Sequence, residues 1–520
     1  MSIRQRPAWT AGVAAAALLA GMAATAARAE TLPPETLADA IAMAYRSNPT
    51  LQVQRAQLKV TDETYVQARS GLRPTVTANI NATYAEEATD LPAPLPQTER
   101  FNQGTASLTI TQPIFNGGRT AAAEQAAEAS IMAGREGLRQ TEATVLQQVV
   151  QAYVDVRRDQ QIVAIRQNNL SVLSGQLDLT RAKFEVGQIT RTDVAQAEAQ
   201  LAAARALLST SQAQLQISRA NYTAVVGQNP GELAPEPQVP GVPPTVDQAF
   251  DTAEAESPLL LQARRTEQAS RARVAEAKAA NHPTVSLQGT IGYSGTVAPF
   301  DPTDYSKTTT IEAVISQPIF TGGLNSSNIR SALAQNSADR ISIEGARRQV
   351  VQQVSQAWNT MASSRANVTS DEEQVRAARV AFEGEQEEYK VGLRTTLDVL
   401  ISQQNLRDAE LALVQARHDA YVAEAGLLGA MGRLEARYLV AGVEGYDPAV
   451  SFKKIKYAGG TPWDVVIDRL DALGTPRVKL DPAATQPLPG GGAPTMLPPT
   501  GAEPVHPPLS TDQPTASEPR

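Results

Sequence analysis

One seven-residue motif occurs twice in this chain: residues 112–118 read QPIFNGG, and residues 317–323 read QPIFTGG. The second copy lies 205 positions after the first, and the same separation relates Gly227 to Gly432. A separation that stays constant over so long a stretch leaves no net insertion or deletion, which is typical of rigid helices of fixed length. The chain of 520 residues is therefore predicted to be an internal duplication of one structural half.

Heptad patterns follow each copy of the motif. An apolar step of seven residues drives coiled-coil packing. The stretch 118–184 contains no proline, and at about 1.5 Å per residue it predicts a rod about 100 Å long. A turn and a second heptad run complete each half. In the first half the heptad positions are Val149, Val156, Val163, Leu170, Leu177 and Phe184, then Val194, Leu201, Leu208, Leu215 and Tyr222; in the second they are Val354, Met361, Val368, Val375, Phe382 and Tyr389, then Val399, Leu406, Leu413, Ala420 and Leu427.

Polar and apolar residues alternate before each motif, over 75–84 and 284–293 and more weakly around 105–112 and 308–316. A period of two over about ten residues fits a strand with one face to lipid and one to water. It fits an amphipathic strand of a soluble domain equally well. Four strands are too few for a closed barrel, which needs about eight or more. If the strands enter lipid, at least two chains must combine, because lipid tolerates no open sheet edge.

The N-terminus predicts export. Arg4 and Arg6 precede a short apolar run over 11–24, and residues 27–29 (ARA) form a small-residue cleavage site, so 1–29 is interpreted as a signal peptide. The apolar run is too short to span a bilayer, which disfavours the alternative of a retained anchor. Cysteine is absent, so we expect neither disulfides nor a lipid-modified N-terminal cysteine.

The composition argues against several classes of function. The formal net charge is −8, which disfavours nucleic-acid binding because phosphate attracts basic surfaces. The three histidines, His282, His418 and His506, are far apart, so we predict no metal site. The chain has no Walker A loop, no G-x-S-x-G and no H-E-x-x-H motif. We therefore expect no cofactor and no enzymatic activity.

Together these patterns divide the chain into six segments. Each repeat is predicted to run from one helix of modest length, about 35–72 or 246–281, through a strand pair into the long hairpin. A basic patch and a short amphipathic helix near Trp463–Leu473 follow the second repeat. The predicted segments are 1–29 signal peptide, 30–227 first repeat, 228–245 proline-rich linker, 246–447 second repeat, 448–475 C-terminal equatorial segment and 476–520 disordered proline-rich tail.

The order of helix, strand pair, QPIF-x-GG, long helix, V-G-x-x-x-x-x-D-V and return helix resembles the TolC-like outer-membrane efflux and type I secretion channels, over about residues 32–447. The resemblance implies a mostly α fold with a membrane β-barrel contribution: a homotrimer with a twelve-stranded barrel in the outer membrane and a twelve-helix tunnel in the periplasm. It also implies two protein partners, a periplasmic adaptor (membrane fusion) protein and an inner-membrane pump of the ABC or RND type. The pump would drive export through a passive conduit.

The resemblance further implies three groups of site residues. The helical tips would contact the adaptor, polar ties between neighbouring hairpins would close the tunnel, and prolines would mark the turns between strands and helices. The tip residues are Val186, Gly187, Gln188 and Ile189, with Val391, Gly392, Leu393 and Arg394; the gate residues are Tyr389, Arg394 and Asp398, with Thr192 and Asp193 as partners; the strand–helix swivels are Pro74, Pro113, Pro283 and Pro318.

Simpler interpretations of these residues stay open at this point. The tips fit a plain αα-hairpin turn without a partner. Asp193 and Asp398 fit helix N-terminal caps, where acids favour the helix dipole.

Three copies of Asp398 around an axis would form an acidic ring, a weak cation site. Some relatives have a second acidic ring one turn further on, where this chain has Ile401, so any cation selectivity should be weaker here.

The function predicted from the sequence is an outer-membrane channel subunit for type I protein secretion or efflux. The alternative is a periplasmic coiled-coil scaffold whose strands bind a partner instead of lipid. Membrane fractionation separates these two functions, since only the channel would need its strands for membrane association.

Overall fold

A computed structural model describes residues 34–89, 97–297, 302–440 and 445–478. The predicted signal peptide and nearly all of the predicted proline-rich tail lie outside the described residues. The helices, in chain order, are α1 (Leu37–Ser47), α2 (Pro49–Arg69), α3 (Arg119–Glu185), α4 (Arg191–Val226), α5 (Val246–Glu256), α6 (Pro258–Ala279), α7 (Leu324–Lys390), α8 (Thr396–Met431), α9 (Ala436–Leu439), α10 (Pro448–Ile455) and α11 (Asp464–Leu473).

Four strands form one antiparallel sheet in the order β1-β2-β3-β4. The strands are β1 (Thr75–Thr89), β2 (Gln97–Phe115), β3 (Thr284–Thr296) and β4 (Ser306–Ser316). The four predicted strands are confirmed, and β1 and β2 are longer than the alternation indicates. Within one chain the edge strands are β1 and β4. Both display apolar side chains: Ile80 is 83% exposed and Ile311 is 77% exposed.

The long helices of the two repeats match residue for residue. Both α3 and α7 contain 67 residues, and both α4 and α8 contain 36. Each forms an antiparallel hairpin with its successor, α3 with α4 and α7 with α8. The predicted heptad seams are confirmed as buried or half-buried in both hairpins, as Val149, Val156, Val354 and Leu427 illustrate. Phe184 at the end of α3 is the exception, because it is 43% exposed.

The single helix predicted before each strand pair is wrong. The structure divides both helices, at Asn48 before Pro49 and at Ser257 before Pro258. A residue that precedes proline is pushed out of the α region, and Asn48 has an extended ψ of 124°. The proline itself opens the next helix well, because its missing N–H needs no partner there. Asn48 Oδ1 accepts a hydrogen bond from Thr50 N (2.9 Å) and so caps α2.

The proline-rich stretch 228–245 joins the two repeats across the first hairpin. Glu35 and Leu233 form an isolated parallel bridge, and Leu233 is buried. The buried Tyr153 of α3 donates its hydroxyl hydrogen towards two carbonyl oxygens, Glu35 O (3.0 Å) and Ala234 O (2.7 Å). These bonds fasten the start of the first repeat and the linker to the middle of α3.

Across the described ranges, no helix combines the length and the apolarity needed to cross a membrane.

Candidate gate at the helical tips

The turn between the two helices of each hairpin is a glycine C-cap. Gly187 has φ of 75° and Gly392 has φ of 84°, a left-handed conformation that glycine adopts without strain. Gln188 N donates to Lys183 O (2.9 Å), and Leu393 N donates to Glu388 O (2.9 Å). Both bonds are the six-to-one bond of a Schellman motif, which satisfies the last carbonyl groups of α3 and α7.

A capping box opens the return helix of each hairpin. Asp398 Oδ2 accepts from Thr395 N (3.0 Å), while Thr395 Oγ1 accepts from Asp398 N (3.2 Å). Asp193 and Thr190 make the same pair of bonds at the start of α4. The hydrogen bonds from each threonine hold the pKa of both carboxyl groups below the usual range. The helix-capping interpretation of Asp193 and Asp398 is therefore confirmed.

The other predicted gate residues make contacts that the sequence did not suggest. Tyr389 is buried, its hydroxyl lies 3.4 Å from Thr396 Oγ1, and Lys183 Nζ sits 3.7 Å from the centroid of its ring. Arg394 Nε donates to Glu388 Oε2 (2.7 Å) in an exposed pair. In the described part of one chain, no hydrogen bond or ion pair joins Tyr389 or Arg394 to the predicted partners, Thr192 and Asp193.

The first and second hairpins also meet further from the tips. Leu400 of α8 packs into an apolar cluster formed by Leu173 and Leu177 of α3 with Leu201 of α4. Beside this cluster, Gln403 Nε2 donates to Asn169 Oδ1 (3.1 Å) between buried side chains. A polar residue within an otherwise apolar coiled-coil seam fixes register. Asn169 lies one position before the heptad residue Leu170, so the heptad pattern does not single it out.

The tips present apolar side chains to the outside. Val186 is 69% exposed, Val391 is 72% exposed and Leu393 is 75% exposed. Gln188 is exposed and Ile189 is half-buried. A Cβ added at Gly187 or Gly392 would meet no atom within 4 Å. Each tip is therefore an open surface that a partner protein can approach.

The four predicted swivel prolines lie at the ends of the strands, with one difference between the repeats. Pro74 and Pro283 immediately precede β1 and β3, and Pro318 follows the end of β4. Pro113 instead lies inside β2, at a register shift between Pro113 and Phe115. The strand continues past this proline because β3 pairs with it, whereas no strand in the described ranges lies beyond the edge strand β4.

A buried carboxylate at the junction between β2 and α3 was not found from the sequence. Asp471 of α11 is fully buried and accepts from three backbone nitrogens, those of Asn116 (2.9 Å), Gly118 (3.0 Å) and Ala121 (3.3 Å). A carboxylate at a helix N-terminus meets both the free N–H groups and the positive end of the dipole. Asp471 therefore anchors the C-terminal segment to the start of α3.

The ionisable side chains that the structure describes do not gather into a metal site: no group of three or more His, Cys, Asp or Glu residues is close enough to bind an ion.

A four-stranded sheet with two open edges, continued at one end by two long helical hairpins, is the protomer of a channel that several chains complete. The family model described as outer membrane efflux protein matches residues 40–228 and 249–433. The chain is 36% identical to the outer membrane efflux protein BepC of Brucella suis biovar 1, covering 85% of this chain and 95% of that one. It is 26% identical to the outer membrane protein TolC of Escherichia coli, covering 82% and 88%.

A solved structure has the same fold. The outer membrane protein VceC of Vibrio cholerae superposes with a TM-score of 0.64 at 24% sequence identity, covering 76% of this chain and 96% of that chain. The chain belongs to the outer membrane efflux protein family. It is an export channel subunit of the outer membrane, of the TolC type.

Proposed function

We propose that three copies of this chain form a passive conduit, a closed twelve-stranded sheet in the outer membrane continued by a tunnel of twelve long helices in the periplasm. The tunnel is closed at the helical tips. A periplasmic adaptor and an inner-membrane pump of the ABC or RND type open it, for type I protein secretion or efflux. The pump supplies the energy, and this chain performs no catalytic step.

The pair of open sheet edges carries this proposal. Among the described residues of one chain, β1 pairs only with β2 and β4 pairs only with β3. In lipid each unpaired backbone group costs several kcal/mol. Antiparallel pairing of β4 with β1 of the next copy removes both edges at once. Three copies then supply twelve strands, which exceeds the roughly eight that closure needs.

An asymmetry between the repeats supports the same assembly. Ile319 is 95% exposed and Phe320 is 89% exposed at the junction after β4. Their first-repeat counterparts, Ile114 and Phe115, are half-buried, and the ring of Phe115 lies against Gly474. Two equivalent apolar positions with such different exposure indicate that something outside one chain covers the second junction. The next copy in the ring is the available cover, because its β1 adjoins this edge.

The contacts at the tips support a gate that opens at low energetic cost. Tyr389 and Lys183 join the two hairpins of one chain, while the Arg394–Glu388 pair and the capping Asp398 stay within the second hairpin. Exposed ion pairs contribute at most about 1 kcal/mol each. An adaptor that binds the exposed Val391 and Leu393, and the equivalent residues of the first hairpin, can therefore favour separation of the hairpins through modest competing contacts.

Single-channel recordings in a planar bilayer test the proposal. Detergent-extracted wild-type trimer should insert and give discrete conductance steps, and Arg394→Ala should raise the conductance because the proposed tie from Arg394 to the neighbouring hairpin in the trimer is lost. Arg379→Ala is the matched control. Arg379 lies on α7 away from the tip and, like Arg394, forms an exposed ion pair, with Glu410 at 3.1 Å.

Three results are informative. Folded helical protein that never inserts would overturn the conduit. Insertion with equal conductance in wild type and Arg394→Ala would overturn the gate assignment but keep the conduit. Equal increases in Arg394→Ala and Arg379→Ala would show a general loosening of α7 and would also remove Arg394 from the gate.

A further inference from the structure

The short helix α11 displays most of its apolar residues outward, although Ile467 is buried on its inner side. Trp463, Val466, Leu470 and Leu473 are 50%, 61%, 45% and 85% exposed. Their spacing of three, four and three residues places them along one side of the helix. We call these four residues the outer stripe. Such an arrangement is inverted relative to an ordinary surface helix, whose apolar face is buried.

Charged contacts fix this inverted orientation. The buried Asp464 lies 3.7 Å from Arg73 Nε. Asp468 binds Arg69 at 2.6 Å, and Asp471 caps α3 through three hydrogen bonds. Because acids occupy the inner side of α11, the helix cannot rotate to bury the outer stripe without exposing or unpairing them. The outer stripe therefore faces away from this chain.

The outer stripe lies level with the end of the sheet. Trp463 Nε1 donates to Gln112 Oε1 (3.2 Å). Gln112 lies three residues before the end of β2 at Phe115. At the other end of α11, the backbone of Thr475 packs against Gly118. The helix thus runs beside the boundary between strands and helices. In the proposed trimer this boundary is the periplasmic surface of the membrane.

We propose that α11 is an interfacial helix whose outer stripe inserts into the headgroup layer of the periplasm-facing leaflet, with phospholipid as the ligand. The assignment rests on the membrane position of the sheet in the proposed function. Trp concentrates at membrane–water interfaces, and amphipathic helices with Trp and Leu on one face bury that face at the headgroup boundary. The outer stripe lies at the same end of the sheet as the exposed Val76 of β1, which pairs with Ile110 two residues before Gln112. The exposed Arg469 flanks it and suits anionic lipid.

The two tryptophans beyond the predicted signal peptide provide the test. Trp358 is half-buried on α7, against the apolar cluster around Val354, about 50 Å below the start of that helix. Trp358→Phe leaves Trp463 as the reporter, and Trp463→Phe leaves Trp358 as the matched control. Removal of Trp9 with the signal peptide is checked by the mass of the purified chain. Each protein is reconstituted into vesicles of phosphatidylethanolamine and phosphatidylglycerol, with and without phospholipid brominated near the carboxyl end of its acyl chains.

In the expected result, bromolipid quenches Trp463 in proportion to its mole fraction and leaves Trp358 unaffected. Quenching of Trp463 by aqueous acrylamide without quenching by bromolipid would show that the helix faces water and would overturn the proposal. Resistance to both quenchers would show that a second copy covers the outer stripe, which also overturns it. Flotation with vesicles and conductance steps report the sheet independently, so failure of the conduit is distinguished from failure of the helix assignment.

Discussion

Replacing Asp471 by alanine should release the C-terminal segment from the junction between sheet and helix. The carboxylate is fully buried, and the substitution would leave three backbone N–H groups without their acceptor, those of Asn116, Gly118 and Ala121. A buried donor left unsatisfied costs about 1–3 kcal/mol. Thr475 covers Gly118 closely, so water reaches that donor only when the segment lifts. We expect the attachment of the C-terminal segment to lose about 3–5 kcal/mol of stability. The loss cannot exceed the free energy that is needed to detach α11.

The asparagine variant separates charge from hydrogen bonding. Asp471 Oδ1 accepts from Asn116 N and Gly118 N, while Oδ2 accepts only from Ala121 N. Asp471→Asn keeps an oxygen at the first position and places an amide donor against Ala121 N–H at the second. The loss should therefore be about 1–2 kcal/mol, since one bond and the charge are removed.

Hydrogen exchange of peptides covering α11 and residues 116–121 measures these losses. Because about 1.4 kcal/mol corresponds to a factor of ten, exchange should accelerate by about 100-fold or more in Asp471→Ala. Asp447→Ala is the control in the same segment, since Asp447 is an exposed cap with a single bond to Ala449 N (2.8 Å). Similar exchange in Asp471→Ala and Asp447→Ala would contradict the anchoring role of Asp471.

Three further predictions concern the hairpins. Asp398→Asn keeps a capping oxygen but removes the charge, so it should lower the cation preference measured from reversal potentials in a salt gradient, whereas Asp193→Asn should not. Burial lowers the pKa of His418, but hydrogen bonds to two carboxylates outweigh this effect and the net pKa is raised. The stabilising contribution of His418 is full below the unfolded-state pKa and is lost as pH rises through the folded-state pKa, so the wild-type Tm should fall more than that of His418→Gln as the pH rises above about 6.5. Gly392→Ala should destabilise the tip by about 1 kcal/mol because φ is 84° there, while Gly345→Ala inside α7 should stabilise; equal thermal shifts would contradict this.

The helical part of the fold was predictable because the chain repeats itself. Each helix of the second hairpin begins and ends 205 residues after its counterpart: Arg119 and Leu324 open the rods, and Val226 and Met431 close the return helices. Fixed helix lengths follow from seam packing, since one inserted residue would rotate every later heptad position by about 100°. The glycine turns and capping boxes are equally local, and they appear in the sequence as V-G and T-x-x-D.

The division of the two shorter helices was also encoded locally. Asn48-Pro49 and Ser257-Pro258 combine a favoured cap residue with a proline at the first helical position. This signal predicts a helix start inside each of the stretches 35–72 and 246–281, which the sequence analysis interprets as one continuous helix.

Contacts between distant parts of the chain were not predictable. Asp471 meets residues more than 300 positions away, and Gln403 meets Asn169 across 234 positions. Neither contact belongs to a period or a turn, so one sequence contains no signal that pairs them. The same holds for the contact of Lys183 with the ring of Tyr389, which the family resemblance does not imply.

The local character of the tip bonds bears directly on how a gate of this kind can work. The Schellman bonds and capping boxes join residues three to five positions apart, within one hairpin. They hold each turn in shape however the hairpins move relative to one another. In the described part of the chain, the Lys183–Tyr389 contact, the Leu400 cluster and the Gln403–Asn169 hydrogen bond join the two hairpins near the tip. A partner that separates the hairpins thus has to replace a few contacts between them, and it meets a preformed turn whose exposed valines and leucine are already in place.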